Sequence, residues 1–321
     1  MVGTLVWDRI LQRDGQSEPV EEWGGIGYAL AALRATLPEE WRILPMVKVG
    51  RDLSEEAFRF LEEIPGVDTS AMVVSEEPNN RVELRYETEA RRCERLTGGV
   101  PPWTWPELAP VVESCDAVYV NFISGFEMDL ATAQALRAGY QGPLYTDLHS
   151  LFLHMDRHGQ RVPQLLAHWG EWFRCFDGVQ MNEEEFALLG HRTGDPWELA
   201  AETLGPELKL ITVTLGERGA AYVAAPGFEP DPDAWRGRRS LPEPGTARSG
   251  KVPVTGPARV GDPTGCGDVW GATFYAGLLL GHGLDAAMAL ANHRAASNVE
   301  HRGARGLFGH FSGSLSHLEE R

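Results

Sequence analysis

Short runs of β-branched and apolar residues alternate with longer segments of helical spacing, and this alternation constrains the fold more than any other feature. The predicted strands are Leu44–Val49, Ala71–Ser75, Asp116–Phe122, Pro143–Leu148, Asp177–Met181, Leu208–Thr214 and Ala220–Ala224. The predicted helices are Gly24–Thr36, Ser54–Ile64, Met128–Ala138, Glu183–Leu189 and Pro196–Leu204, with Ser54 and Asp195 as expected N-caps. A repeat of strand, helix and strand needs right-handed crossovers, so it predicts a doubly wound α/β fold whose mainly parallel sheet is flanked by helices. Ligands of such sheets bind at the carboxyl ends of the strands.

Two stretches interrupt this alternation. Residues 76–102 contain VELRYE, whose alternating residues are typical of a half-exposed strand, and with part of 8–23 they are expected to form a small β lid. Residues 226–257 are rich in Pro, Gly and Arg and are expected to form an irregular excursion. The whole chain, residues 1–321, is expected to form one domain from which the lid is an excursion.

Composition excludes several classes of function. With 46 acidic and 29 basic residues the formal net charge is −17, so electrostatic binding to nucleic acid or to an anionic membrane is not expected. The sequence has neither an export signal at its start nor an apolar run long enough to cross a membrane. The four cysteines, which show no metal-binding spacing, are Cys93, Cys115, Cys175 and Cys266. We therefore expect a soluble, cytoplasmic protein with reduced thiols.

A glycine-rich turn leads directly into an apolar helical segment in GDPTGCGDVWGATFYAGLLLG, residues 261–281. Gly265 and Gly267 are expected to adopt backbone angles closed to other residues and to present N–H groups at the start of a helix near Asp268. Such a helix start binds anions. A carboxylate repels an anion, so the expected task of Asp268 is to take a proton from a group that attacks the anion. The alternative is that Asp268 only caps the helix.

DPTGCGD resembles the D-T-x-G-A-G-D signature of the ribokinase family, also called the phosphofructokinase-B (pfkB) family of sugar and nucleoside kinases. Four further motifs resemble those of the family in the same order: GTLVWD, WGGIGYALAAL, MNEEEFALL and VTLGERGA. Each is a common pattern when taken alone, so the ordered set is more specific than any member. The resemblance implies a ribokinase-like fold.

The same resemblance implies a carbohydrate kinase that moves the γ-phosphoryl group of ATP to a hydroxyl of a small sugar or sugar-like substrate. Asp268 would be the general base, and the amides of Gly265, Cys266 and Gly267 would stabilise charge on the transferring group. The lid would close to exclude water. Relatives often pair through their lid strands, so a homodimer of that kind is a further implication.

Other site residues follow from the matched motifs. The expected substrate residues are Asp8, Gly24 and Gly25, and the expected nucleotide residues are Thr214, Gly216, Gly219 and Asn292. Asn182 and Glu185 are expected to organise Mg²⁺ largely through water, and the resemblance also implies K⁺ near Asp262. Asp147, at a predicted strand end, is a further candidate near the phosphates or the metal.

Several alternatives stay open. Asn182 and Glu185 have the spacing of a helix capping box, so they could cap a helix as well as organise a metal. Ala29 stands where many sugar kinases of the family have Asn, which places the usual binding of ribose or a ribonucleoside in doubt. Only Met1 and Val2 precede Gly3, so either the first central strand is short or the natural start lies upstream.

Three further functions are alternatives to a sugar kinase. They are a nucleoside kinase, a noncatalytic regulator of the same fold, and a dinucleotide-dependent oxidoreductase suggested by GGIGYA. The last of these lacks the G-x-G-x-x-G order that dinucleotide binding requires.

Overall fold

A computed structural model describes residues 1–11, 19–86, 92–238 and 245–313 of the chain. Its strands are β1 (Leu5–Leu11), β2 (Val20–Gly25), β3 (Lys48–Gly50), β4 (Val73–Ser75), β5 (Arg81–Tyr86), β6 (Arg92–Thr97), β7 (Val118–Asn121), β8 (Leu144–Asp147), β9 (Leu153–Met155), β10 (Arg161–Pro163), β11 (Gly178–Asn182), β12 (Leu210–Thr214), β13 (Ala220–Ala224) and β14 (Arg248–Val252). Its α-helices are α1 (Ile26–Thr36), α2 (Ser54–Glu62), α3 (Trp105–Val112), α4 (Leu130–Gly139), α5 (Trp169–Arg174), α6 (Glu183–Thr193), α7 (Pro196–Thr203), α8 (Cys266–Leu279), α9 (Leu284–Asn298) and α10 (Leu307–Ser312).

The main sheet has the strand order β14-β13-β12-β11-β8-β7. The four strands β7, β8, β11 and β12 run parallel, and β13 and β14 are added antiparallel at one edge. Beyond β7, single parallel bridges join Val2 to Val120 and to Met46. The sheet therefore continues at Val2 over a very short contact, and the expected doubly wound α/β architecture is present.

Two apolar clusters cover the two faces of this sheet. Along β7, Tyr119 packs with α1 and α8 on one face, whereas Val118 and Val120 pack with α3 and α4 on the other. This alternation follows the period of two that a strand imposes on its side chains. Helix α8 is buried along most of its length, since it lies between the sheet and α9.

A second sheet of four strands has the order β2-β1-β5-β6. Strand β1 pairs antiparallel with β2 and parallel with β5, and β5 pairs antiparallel with β6. Val6, Ile10, Val82, Leu84 and Leu96 form its own small apolar cluster. The half-exposed strand expected in VELRYE is therefore present. Residues 12–18 and 87–91 of the expected lid lie outside the described part of the chain, and closure of this sheet as a lid stays a prediction.

Residues 5–8 of GTLVWD lie in β1 and pair within the small sheet. Two local expectations need correction. Ser54 does not cap α2; it is the first helical residue, and its Oγ donates to the Arg51 carbonyl. Residues 226–257 contain a regular strand, β14, which pairs with β13; residues 239–244 of that stretch lie outside the described residues. The capping role of Asp195 is confirmed, since its carboxylate accepts from the Trp197 N–H at 2.8 Å.

The hairpin of β9 and β10 was not expected. Each strand has three residues, too few for a recognisable run of alternating residues. Its turn contacts the small sheet, because the Leu96 N–H donates to the Gly159 carbonyl at 3.0 Å. Among the helices described, none has the length and apolar character needed to cross a bilayer.

Candidate active site

The parallel strands of the main sheet end in polar residues at one edge of the sheet. The terminal residues of β7, β8, β11 and β12 are Asn121, Asp147, Asn182 and Thr214. Asn121 is the register partner of Asp147, and Asn182 is the partner of Thr214. The carboxyl ends of parallel strands are where doubly wound sheets bind ligands, and helix α8 begins at this same edge.

The glycine turn before α8 holds an open helix N-terminus. Gly265 caps the helix with a φ of 77°, and a Cβ on it would lie 2.3 Å from Cδ1 of Tyr28. The N–H groups of Gly265 and Gly267 make no hydrogen bond with the described residues, whereas the Cys266 N–H donates to the Pro263 carbonyl at 3.1 Å. Two of the three amides expected to bind an anion are therefore available. Gly267 lies within the helix with ordinary helical angles, contrary to the expected left-handed conformation.

Asp268 occupies the first turn of α8 and faces the end of β7. The side-chain Nδ2 of Asn121 donates to Asp268 Oδ1 at 2.8 Å. Nearby, the Cys266 Sγ donates to the Ala295 carbonyl at 3.3 Å, and burial raises the pKa of that thiol to about 11. Cys266 is therefore an uncharged packing group, as the sequence indicated.

Tyr28 lies near both the expected substrate residue Asp8 and the expected base Asp268. It lies on α1, where burial and then the charges of Asp8, Asp262, Asp268 and Glu22 raise the pKa of its hydroxyl. The carboxylates of Asp8 and Asp268 therefore lie close enough to act on the same hydroxyl. Both predicted residues therefore lie within electrostatic range of Tyr28, although they are far apart in the sequence.

The Gly-Gly motif is shaped by Asp8. Asp8 is 7% exposed, and a Cβ on Gly24 would lie 2.0 Å from its Oδ2. Gly25 has a φ of 61° and caps α1, where a Cβ would lie 2.4 Å from the Thr4 carbonyl oxygen. Any larger side chain at Gly24 would displace the Asp8 carboxylate.

Asn182 and Glu185 form a complete capping box at the start of α6. Asn182 Oδ1 accepts from the Glu185 N–H at 2.9 Å, and Glu185 Oε2 accepts from the Asn182 N–H at 2.8 Å. Glu185 Oε1 also accepts from Asn182 Nδ2 and contacts His149 Nδ1. Burial by itself lowers the pKa of His149, but the charges of Glu185 and Asp147 outweigh it and raise the pKa to about 9. His149 is therefore a cation at neutral pH.

A buried hydrogen-bond bridge joins β8 to the start of α8. Gln180 Nε2 donates to Asp147 Oδ2 at 2.8 Å and to the Gly267 carbonyl at 3.0 Å. Burial, followed by the negative charges of Glu185 and Asp268, raises the pKa of Asp147 to about 8. A Cβ on Gly271 would lie 2.3 Å from Gln180 Oε1, so this glycine makes room for the bridge.

The expected nucleotide residues lie farther along the same edge. Gly216 has a φ of 58° and open space around it, and Gly219 has a φ of 93° with the Val252 carbonyl oxygen 2.1 Å from a built Cβ. Asn292 is buried; its Oδ1 accepts from Trp270 Nε1 at 2.8 Å and its Nδ2 donates to the Val252 carbonyl at 3.0 Å. Both polar atoms of the Asn292 side chain are thus hydrogen-bonded within the protein, and contact of Asn292 with adenine stays a prediction.

The expected potassium residue is also engaged by the protein. Asp262 Oδ1 accepts from the Thr264 N–H at 2.9 Å and from its hydroxyl at 2.6 Å. Potassium binding near Asp262 stays a prediction.

Comparison with a family profile decides the classification. The profile of the pfkB family carbohydrate kinases matches residues 45–308. The chain belongs to the pfkB carbohydrate kinase family. The match includes the DPTGCGD, MNEEEFALL and VTLGERGA motifs of this pfkB member and leaves out its first 44 residues, where Asp8, Gly24 and Gly25 lie.

Solved structures share the fold of this pfkB chain. A nucleoside kinase of Burkholderia thailandensis, in complex with inosine, is 16% identical, with a TM-score of 0.69 over 99% of this chain and 97% of that chain. The ribokinase of Thermotoga maritima is 17% identical, with a TM-score of 0.69 over 98% of each chain. A pyrophosphate-dependent kinase in the ribokinase family is 19% identical, with a TM-score of 0.66 over 94% of each chain. No curated protein sequence matches the chain.

The site of this pfkB member fits a magnesium ion that keeps most of its water. Asp147 and Glu185 are 4% and 5% exposed, and burial, followed by repulsion from Glu185 and Asp268, raises the pKa of Asp147. Such clustered carboxylates are stabilised by a cation. In the described part of the chain no group of three or more His, Cys, Asp or Glu side chains could enclose a metal directly. Mg²⁺ is commonly held by one or two carboxylates, water and substrate phosphates, and its binding at this site stays a prediction.

Four residues near the site were not predicted from the sequence to belong to it: Tyr28, Asn121, His149 and Gln180. Asn121 and Gln180 lie at or next to the end of a predicted strand, which is a usable signal when the strand ends are known to converge. Tyr28 carries no such signal, because it reaches the site only through the packing of α1 against α8.

Proposed function

We propose that the chain transfers the γ-phosphoryl group of ATP to a hydroxyl of a small sugar or sugar-like molecule, with Asp268 as the general base. The observation that carries the proposal is the start of α8, where a carboxylate lies beside two open amides at the ligand-binding edge of the sheet. An anion site and a proton acceptor in contact are what an alcohol phosphotransferase needs.

In the proposed reaction, Asp268 takes the proton of the acceptor hydroxyl as its oxygen bonds to the γ-phosphorus. The bond between that phosphorus and the bridging oxygen breaks, and ADP leaves with the bonding electrons. The amides of Gly265 and Gly267 donate to oxygens of the transferring group, aided by the dipole of α8. The proton later leaves Asp268 to solvent.

Asn182, Glu185 and Asp147 would hold a hydrated Mg²⁺, which when bound neutralises charge on the phosphates. The cationic ring of His149 contacts Glu185 and fixes the carboxylate on the capping box. Thr214, Gly216 and Gly219 would lie along the nucleotide, since they follow the end of β12 at the same edge.

The acceptor is proposed to bind between the small sheet and α1, where Asp8 offers a buried carboxylate to its hydroxyl groups. A nucleoside is the second candidate acceptor, because one structural neighbour is a nucleoside kinase in complex with inosine. Pairing through the small sheet, a potassium requirement and a cytoplasmic location remain predictions.

The test is product release on the wild type and on Asp268→Asn side by side. ADP release is measured from Mg-ATP with panels of aldoses, ketoses, sugar acids, sugar phosphates and nucleosides, and phosphate release is measured with pyrophosphate as donor. We expect acceptor-dependent ADP release that falls by 10² or more in Asp268→Asn, while ATP binding is retained. Equal turnover in the two proteins would refute the base assignment.

The noncatalytic regulator predicts a different result. ATP would bind, but no acceptor would stimulate ADP release in either protein. Tightly bound NAD in the purified protein would instead favour the oxidoreductase.

A further inference from the structure

We infer that Asn121 is a positioning residue that orients the Asp268 carboxylate toward the acceptor hydroxyl. The inference rests on the proposed function and adds to it a residue that none of the sequence motifs contains. It depends on two observations at the end of β7. Asn121 Nδ2 donates to Asp268, and Asn121 Oδ1 has no hydrogen-bond partner among the described residues.

The backbone of Asn121 is fixed on both sides. Its N–H donates to the Val2 carbonyl at 2.9 Å, and it is paired in register with Asp147 on β8. The side chain is completely buried, and its Nδ2 lies 2.8 Å from Asp268 Oδ1. A donor held by the backbone of β7 therefore determines the orientation of a carboxylate on a separate helix.

The other end of the same amide is unsatisfied. Asn121 Oδ1 is buried and has no hydrogen-bond partner among the described residues. A buried acceptor without a partner is unfavourable, so stability alone would favour an apolar residue of similar size at this position. A polar residue that is unfavourable for folding is typical of a functional site. The one described side-chain hydrogen bond of Asn121 is with Asp268, the proposed base.

The surroundings of Asp268 explain why a neutral donor suits this place. Tyr28 from α1, Tyr119 from β7, Asp147 from β8 and Cys266 from α8 itself all face its charge. A neutral amide holds Oδ1 of Asp268 without adding a charge beside the carboxylate. A cation in its place would stabilise the carboxylate and weaken it as a base.

The experiment compares Asn121→Leu and Asn121→Asp with a matched control, Thr273→Val. Thr273 lies on α8, is fully buried and also has an unpartnered side-chain oxygen, and no described hydrogen bond joins it to Asp268. For each protein we would measure the melting temperature, kcat and KM for both substrates, and the dependence of kcat on pH.

We expect Asn121→Leu to melt at or above the wild-type temperature and to lose kcat by 10- to 100-fold, with each KM within about twofold. Asn121→Asp places a second carboxylate against Asp268, so the acidic limb of kcat should move upward by about one pH unit or more. Thr273→Val should keep the wild-type kcat and pH profile.

The outcomes separate this inference from the proposed function. If the wild type is active, Asp268→Asn is inactive and Asn121→Leu retains kcat, the inference alone is overturned. If Asn121→Leu does not fold, the near-isosteric Asn121→Asp decides, because an unchanged pH profile overturns the inference. A wild type without turnover on any donor and acceptor overturns the proposed function and the inference with it.

Discussion

At the scale of single residues, Gly265 and Gly267 of the turn before α8 differ in what folding requires of them. Gly265 needs its left-handed backbone and its contact with the Tyr28 ring, so it is a requirement of folding. Gly267 is helical and exposed, and the nearest atom to a built Cβ is Asp147 Oδ2 at 4.0 Å. Folding therefore does not require glycine at residue 267, whereas the proposed close approach of a phosphate would.

We predict that Gly267→Ala folds with equal or greater stability and loses activity. Alanine is favoured over glycine inside a helix by up to about 1 kcal/mol. Its methyl group would lie beside the open amide and obstruct the transferring group, so kcat should fall by at least tenfold. Urea unfolding and steady-state kinetics check the two parts.

The matched variant is Gly265→Ala. It should lower the free energy of unfolding by about 1–3 kcal/mol, because it strains a left-handed residue. A fully active Gly267→Ala would show that no phosphate approaches this amide.

At the scale of elements, the N-terminus of α6 combines a helix cap with a charge at the site. The sequence allowed both roles for Asn182 and Glu185, and the structure shows the capping box with Glu185 also in contact with His149. The two roles depend on different properties of the side chain. Capping needs an oxygen acceptor, whereas magnesium needs a negative charge.

Glu185→Gln should therefore separate the helix-capping role of Glu185 from its proposed role in magnesium binding. Glutamine can keep the capping hydrogen bond to the Asn182 N–H but loses the ion pair with His149, so the free energy of unfolding should fall by about 1–3 kcal/mol. The Mg²⁺ concentration for half-maximal activity should rise severalfold or more, as measured by titration at saturating ATP and acceptor.

The control for this variant is Asp195→Asn, which removes a charge from the cap of the neighbouring helix α7. It should leave the magnesium titration unchanged. An equal shift in both variants would assign the effect to general surface charge rather than to Glu185.

At the scale of the whole molecule, a buried ion cluster joins elements at the edge opposite the site. Asp177, just before β11, is fully buried; its Oδ1 lies 2.7 Å from Lys209 Nζ and 3.1 Å from an Arg137 nitrogen. Its Oδ2 accepts from the Leu144 N–H at 2.9 Å. The cluster thus connects α4, β8, β11 and the segment before β12.

We predict that Asp177→Asn is among the most destabilising single changes and leaves the chemistry unaffected. Two buried cations would lose their counter-charge, which costs about 3–5 kcal/mol. Urea unfolding should show this loss, while kcat per folded molecule stays at the wild-type value.

Glu55→Gln is the matched surface variant. Its partner Arg59 lies 3.8 Å away in an exposed pair, so the change should cost less than about 0.5 kcal/mol. Similar costs for the two variants would contradict the role assigned to Asp177.

The sequence by itself determined the local structure and the family. The period of two or of 3.6 residues specified most strands and helices of the main sheet, and the residues of DPTGCGD specified a glycine turn before a helix, because these features depend on neighbours in the chain. The family profile confirmed the family that those motifs indicated. The three-residue strands β9 and β10 escaped prediction, since so short a segment has no periodicity.

Only the tertiary structure decided how distant residues meet. Asn121 and Asp268 are separated by 147 positions, and the contact between them depends on where α8 packs against β7. Tertiary packing also determines the partners of Gln180, the surroundings of Tyr28 and the pairing of β1 within the small sheet. Packing places such groups together through the whole core, so a local pattern identifies the chemistry of a residue while the fold determines what it contacts.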